Sequence, residues 1–320
     1  MITEPQDRDD EDIAIYIDEL KSDDPNLKLN AVSKIIDISK ILGPGRTRDE
    51  LIPYLTEIIE ECDNEDEFLI KLAEQIVELK HYIVKGDDIS LLLTPLEFIS
   101  SIEEPKIRET AVKSIQDLVC DQSEEFFEKH VCLMVKRLIM WDNYTSKISG
   151  SALIPLCFKK TKEDEHASLR TLVVELGKDD TPMVRRATAQ ILNELTEVYS
   201  QEDFDNDLKD MLYRFLDDDI DSVRMKALEQ LPFLVKRIPQ EERDSTLLDY
   251  PLNMDPERKN WRVRYHIPDA LVGICPYLCK LFFYFVYFFI FLRSKGSRFH
   301  MPSLHSSNMS KCTSKLQRVH

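Results

Sequence analysis

Glycine is scarce, with seven in 320 residues, too few for the tight turns that a sheet-rich chain of this length needs. The chain also lacks a Cys-x-x-Cys pair, a His-Glu-x-x-His motif and a glycine-rich phosphate loop. Neither a zinc site nor a nucleotide cradle is expected, and no metal or other cofactor is implied. Asp203, Asp205 and Asp207 imitate the start of a calcium loop, as do Asp217, Asp219 and Asp221. In both, the sixth position (Leu208, Ser222) is not Gly and the twelfth (Arg214, Leu228) is not Glu, which leaves solvated acidic faces. No serine sits in a Gly-x-Ser-x-Gly elbow. Catalytic residues are not expected, and the reading is not that of an enzyme.

Positive charge is short over most of the chain. Residues 1–270 carry 35 Lys and Arg against 59 Asp and Glu, a net of −24, because the seven basic residues beyond residue 270 face no acid there. Nucleic acid is excluded as a partner by that balance, since its affinity comes from cations neutralising phosphates. An acidic body favours partners with basic patches. Seven scattered cysteines, an odd number mostly within apolar runs, fit buried thiols in a reducing compartment. The first residues, MITEPQDRDDED, form no signal peptide. The expected location is the cytosol, with the nucleus as a second compartment.

What the chain does have is a period. A basic residue follows an aliphatic one at Leu27-Lys28, Ile107-Arg108, Val184-Arg185, Val223-Arg224 and Val263-Arg264, and Ser146-Lys147 repeats the step with Ser as the first member. From Arg108 onward the basic positions are 39, 38, 39 and 40 apart, the spacing of a helical-hairpin solenoid. Four residues past the aliphatic position stands a small residue: Ala31, Ala73, Ala111, Gly150, Thr188 or Ala227. Eight past it stands an apolar one: Ile35, Val77, Ile115, Ile154, Leu192, Leu231 or Leu271. These offsets share one helical face, so they are core positions that let helices approach and fill the space between layers.

An apolar stretch precedes each such helix, at Ile13–Leu20, Leu51–Ile59, Leu91–Ile99, His130–Ile139, Leu169–Leu176, Leu208–Leu216 and, weakly, Leu247–Leu252. Asp24-Pro25, Glu104-Pro105 and Thr181-Pro182 place helix-start chemistry between the two helices of a unit. The expected fold is all-α, an α-α superhelix of about seven hairpins in a right-handed curved array. It spans residues 8–272 after a disordered 1–7, with the second unit irregular at Ile70 and the seventh incomplete.

Residues 273–320 leave the pattern and are expected to lie outside the native fold, as the end of a truncated isoform or as translated non-coding sequence. Their uninterrupted apolar run, Leu281–Leu292, is twelve residues, short of the ~20 that span a bilayer. Counting from 274 to 292 lengthens it but takes in Pro276 and Lys280, so a membrane anchor is the weaker alternative.

Stacking aligns the turns inside the units along one edge. Here that edge is acidic beyond the needs of capping, and both tryptophans lie near it. Such rings anchor interfaces, although they also pack between repeats.

Several stretches closely resemble the N-terminal HEAT repeats of the scaffolding A subunits of protein phosphatase 2A: IDELKSDDPNLKLNAV (17–32), RTRDELIPYLTEII (46–59), TPLEFISSIEEPKIRETAVKSI (94–115), DDTPMVRRATAQIL (179–192), DDDIDSVRMKALE (217–229) and NWRVRYHIPDALVGI (260–274). The resemblance implies a non-catalytic scaffold that holds regulatory B-type subunits through its intra-repeat turns. Site residues carried over, together with the acidic and aromatic turn residues above, are Glu103, Glu104, Pro105, Trp141, Asp142, Tyr144, Asp179, Asp180, Thr181, Pro182, Met183, Arg186, Asp218, Asp219, Ser222 and Trp261. The family has Trp directly before the aromatic at Tyr144, where this chain has Asn143. Family members are about twice this long, so the surface for the catalytic subunit is expected only in a full-length form. A generic HEAT-repeat adaptor and a membrane-tethered truncated isoform are the alternative readings.

Overall fold

A computed structural model describes residues 14–62, 65–83, 86–243, 247, 250 and 261–278. The expected extension at 1–7 and most of the tail, including Leu281–Leu292, lie outside these residues, as does most of Leu247–Leu252. Among the described residues the regular structure is helical and no strand occurs. The chain divides into two compact units, residues 1–191 and 192–320.

In the first unit, antiparallel pairs follow one another. Residues 14–20 precede Pro25–Ser33, which continues as Ile35–Arg46. Next come Ile52–Glu61 with Asp66–Glu78, Leu93–Ile99 with Pro105–Val119, Cys132–Met140 with Tyr144–Lys160, and Glu163–Leu176 with Pro182–Gln190. Second helices pack on second helices, Asp66–Glu78 lying against both Pro25–Ser33 and Pro105–Val119. First helices do likewise where Ile52–Glu61 meets Leu93–Ile99. The second unit holds Leu192–Val198, Lys209–Leu216, Asp221–Leu234 and Trp261–Ile274, the last packed along Asp221–Leu234. Among the described residues the paired helices make six hairpins, with Trp261–Ile274 following the sixth.

The spacing rule explains the packing. Ala31, Ala73, Ala111, Thr188 and Ala227 are fully buried, as are Ile35, Ile115, Ile154, Leu192 and Leu231. Each buried aliphatic contributes about 1.5–3 kcal/mol relative to exposure. Gly150 shows why the small position is small: a Cβ there would meet Ile139 Cγ1 at 2.7 Å and Leu138 Cβ at 3.2 Å. Gly273, at a different offset near the end of the last described helix, is also closely approached: a Cβ there would lie 2.5 Å from the Pro232 ring. Gly43, at φ +73°, turns the chain from the first hairpin into the second, a backbone conformation that side chains resist.

Three first helices begin earlier than their apolar stretches suggest, each through a wider π turn: Thr47–Leu51, Phe127–Val131 and Phe204–Leu208. Ser123 Oγ accepts the Phe126 N–H and Ser200 Oγ accepts the Asp203 N–H, capping two of these starts. Phe127 and Phe204 are buried in the wide turns, while the acids around them, most of them half-buried, mask the apolar period.

Candidate partner-binding turns

At each described turn between paired helices, one side chain accepts the backbone N–H two residues ahead. In the first unit Asp24 accepts from Asn26 at 2.9 Å, Glu104 from Lys106 at 3.4 Å, Asn143 from Thr145 at 3.0 Å and Asp179 from Thr181 at 2.8 Å. In the second unit Asp218 accepts from Ile220 at 2.9 Å. Such bonds satisfy amides that a helix start leaves open. The fifth turn differs from the sequence expectation: Thr181 occupies the cap position but makes no side-chain cap, and Asp179 instead accepts the N–H of Thr181 itself.

The repeated basic residue secures the same turns in two ways. Arg108 Nη1 donates to the carbonyls of Ile102, at 2.8 Å, and of Glu103. Arg185 Nη1 donates to Asp179 O at 2.8 Å and Asp180 O at 3.1 Å, and Arg224 Nη1 to Asp218 O. Burial pulls the Arg108 guanidinium below its ordinary pKa, against the pull of Tyr144 and of Glu109, Glu104 and Glu103 nearby.

Lysine at this position reaches forward to the next hairpin, Lys28 Nζ to Glu65 at 2.6 Å and Lys147 Nζ to Asp179 at 2.8 Å. Burial opposes ionisation of Asp179. The Lys147 ammonium and the N–H and hydroxyl of Thr181 outweigh it and hold the carboxyl below the usual carboxylate range.

The remaining turn acids have no such duty. Glu103, Asp142 and Asp180 in the first unit, and Asp219 in the second, are exposed. Their carboxylates make no hydrogen bond or ion pair among the described residues. Beside them stand apolar side chains facing solvent: Met140 at 79 %, Met183 at 53 % and Trp141 at 36 % exposure. Trp141 also leans on Phe98 of the preceding hairpin, with ring centroids 6.4 Å apart, so it is both packed and presented.

Below that ring pair, Arg137 grips the buried Glu97 with two bonds, Nε to Oε1 at 2.9 Å and Nη2 to Oε2 at 2.6 Å. Asn143 Nδ2 and the Thr145 hydroxyl both donate to Ser101 O, and Ser149 donates to Ser100 O. The fourth hairpin is thereby fixed to the end of the third.

Of the expected contact residues, Glu103, Glu104 and Pro105 line the third turn, Trp141, Asp142 and Tyr144 the fourth, and Asp179 to Met183 with Arg186 the fifth. These three turns succeed one another in the first unit, joined by the Phe98–Trp141, Asn143–Ser101 and Lys147–Asp179 contacts. Pro105 and Pro182 begin their helices, Tyr144 is half-buried, and Arg186 is exposed.

Asp218, Asp219, Ser222 and Trp261 belong to the second unit. There Asp218 caps, Ser222 is half-buried, and Trp261 is 65 % exposed at the start of its helix with the Arg262 guanidinium 5.5 Å from its ring centre. Sequence reasoning missed Met140 and the Glu97–Arg137 pair. The pair's separation of 40 residues is one repeat, which is the signal that could have found it.

Among the described residues, no group of His, Cys, Asp and Glu is arranged to hold a metal ion, and no helix is long and apolar enough to cross a membrane.

No family model matches the chain. It is 38 % identical over 190 residues to a serine/threonine-protein phosphatase PP2A 65 kDa regulatory subunit of Drosophila melanogaster, covering 59 % of this chain and 32 % of that protein. It is 32 % identical over 275 residues to the regulatory A-type subunit of protein phosphatase PP2A from Schizosaccharomyces pombe, covering 86 % and 46 %. The chain thus spans a third to a half of the length of the curated relatives it matches.

In three dimensions it resembles Kap121p, with a TM-score of 0.58 at 10 % identity over 96 % of this chain and 42 % of that one. It also resembles a chain of the Kap95p–RanGDP structure, at 0.60 and 15 % over 84 % and 36 %. At such identities the likeness speaks for the fold alone, an all-α array of HEAT-type hairpins. The sequence relatives say more: over most of its own length, this chain is a protein phosphatase 2A regulatory-A-subunit-like protein.

Proposed function

We propose that the chain is a non-catalytic scaffold that holds regulatory B-type subunits of a serine/threonine phosphatase through the third to fifth turns. The observation that carries this is a division of labour among turn residues. Capping and ladder duties fall to Glu104, Asn143, Asp179 and the basic residues, whereas Asp142, Asp180, Met140 and Met183 are exposed with no task in the fold. Acid beside solvent-facing apolar surface suits a partner that brings basic and apolar groups together. The similarity to regulatory A-type subunits supplies the partner class. Recruitment of the phosphatase catalytic subunit belongs to a full-length form, and the working compartment is the cytosol, with the nucleus second.

Binding of purified regulatory subunits to the immobilised chain tests this. Asp180→Ala weakens binding by about 1 kcal/mol, the scale of a modest interface contact, without changing the helical circular dichroism or its melting. Unchanged affinity in a folded variant would remove Asp180 from the interface. Capture of the catalytic subunit by this chain alone would overturn the assignment of that subunit to a longer form.

A further inference from the structure

The sequence contains two Thr-Pro or Ser-Pro dipeptides, Thr94-Pro95 and Thr181-Pro182, and the fold treats them differently. Thr94 lies within the helix Leu93–Ile99 and Pro95 is buried. Thr181 stands outside its helix in extended backbone (φ −80°, ψ 117°), followed by a trans proline, in a turn whose neighbours Asp180 and Met183 are exposed. Proline-directed kinases accept an extended acceptor residue followed by trans proline. Only the fifth turn offers that shape.

We propose that Thr181 is a phosphate acceptor for a proline-directed kinase, and that its modification unfastens the fifth turn from the fourth. In the transfer, the Thr181 hydroxyl oxygen forms a bond to the γ-phosphorus of ATP. The bond from that phosphorus to the bridging oxygen breaks, ADP leaves with the electron pair, and the hydroxyl proton passes to the kinase's carboxylate base.

The new dianion sits at the start of Pro182–Gln190, where the open helix amides favour negative charge. The change falls on Asp179. Its carboxylate accepts from the Thr181 hydroxyl and from Lys147 of the fourth hairpin. Phosphorylation removes the first donor and sets a competing anion beside the second. The phosphate also covers the strip from Asp180 to Met183, where added like charge and its hydration disfavour docking. This last consequence rests on the scaffold reading given above.

The test uses the full chain, ATP and a proline-directed kinase, with a peptide of residues 177–187 as the unfolded reference. Expected are phosphate on Thr181 and on the peptide, at least about tenfold less on Thr94, and none at this site in Thr181→Ala. Hydrogen exchange should quicken at the amides of 141–147 and 178–181 in the phosphorylated chain. No phosphate on Thr181 of the chain, equal phosphate on Thr94, or an unmodified peptide would each overturn the acceptor assignment. Unchanged exchange would overturn the unfastening. In a separate measurement, the phosphorylated chain binds purified regulatory subunits more weakly than the unmodified chain does, by about tenfold. If the unmodified chain binds none, the scaffold reading fails while the acceptor result stands.

Discussion

Removing Arg137 should harm this protein more than removing the charge on its partner, although the two share one ion pair. Glu97 keeps only 7 % of its side chain exposed, whereas Arg137 keeps 54 %. Their two bonds tie the helix Leu93–Ile99 to Cys132–Met140 across adjacent hairpins. In Arg137→Met the apolar stem remains while the buried carboxylate loses its counter-charge. Stranding one member of a fully buried pair costs about 3–5 kcal/mol, and water reaching the half-exposed Arg137 site reduces this to about 2–3 kcal/mol. In Glu97→Gln the guanidinium stays hydrated and the shape is kept, so the cost is about 1 kcal/mol.

The double variant Glu97→Leu/Arg137→Met has no stranded group and should return to within about 1 kcal/mol of the parent. Urea titration followed by circular dichroism gives the ordering. Amide exchange in 93–99 and 132–140 localises it, which matters because long arrays need not unfold in one step. A Glu97→Gln cost equal to or above that of Arg137→Met would refute the reasoning, since it would mean that burial does not set the asymmetry.

Asp179→Asn should remove a pH-dependent part of stability. A carboxyl with a depressed folded pKa stabilises above the unfolded value of about 4 and loses that contribution as pH falls through the folded value. The gap between parent and variant is therefore constant from pH 7 to about 5 and closes below about 4, as urea midpoints across pH would record. In Gly150→Ala the close approach to Ile139 and Leu138 costs about 1–3 kcal/mol of overpacking, against about 1 kcal/mol gained in helix propensity; a raised melting temperature would contradict the tight contact. Arg185→Lys shortens the reach to two carbonyls that one guanidinium nitrogen, Nη1, serves together, a loss of about 1 kcal/mol, visible as faster amide exchange confined to 178–181.

The hairpin array was legible because its core repeats a short code. A small residue at one offset and a branched one four further on leave little freedom about which face is buried, and Ala111 with Ile115, or Ala227 with Leu231, obey it without exception. The helix starts were not legible, since the acids in EEFFEKHV and EDFDNDL hide the wide turns that bury Phe127 and Phe204.

Turn chemistry was half legible. Sequence identifies an acidic turn, but which side chain bonds which amide depends on where the backbone reverses, and at the fifth turn Asp179 holds the N–H of Thr181 while Thr181 makes no side-chain cap. Glu97 and Arg137 escaped because pairs one repeat apart are invisible to any rule limited to neighbours on one helix. For Trp141 the competing readings, packing ring or presented anchor, prove compatible in one side chain.

Adjacent residues of one turn carry opposite consequences, and Asp179 and Asp180 show why. Asp179 is occupied three times over, by the Thr181 N–H, the Thr181 hydroxyl and Lys147, so a change there is felt first as lost stability. Asp180 offers the fold only its backbone carbonyl, to Arg185, and its carboxylate is spent on nothing internal. The same split separates Glu104 from Glu103 in the third turn, and Asn143 from Asp142 in the fourth.

Because the basic residue grips backbone carbonyls when it is Arg and the next hairpin's acid when it is Lys, the turn can hold its shape whatever side chain its free position bears. A surface built this way can change its partner specificity at Glu103, Asp142 or Asp180 with little effect on the array beneath. Selection on binding and selection on folding then act on neighbouring residues with little conflict.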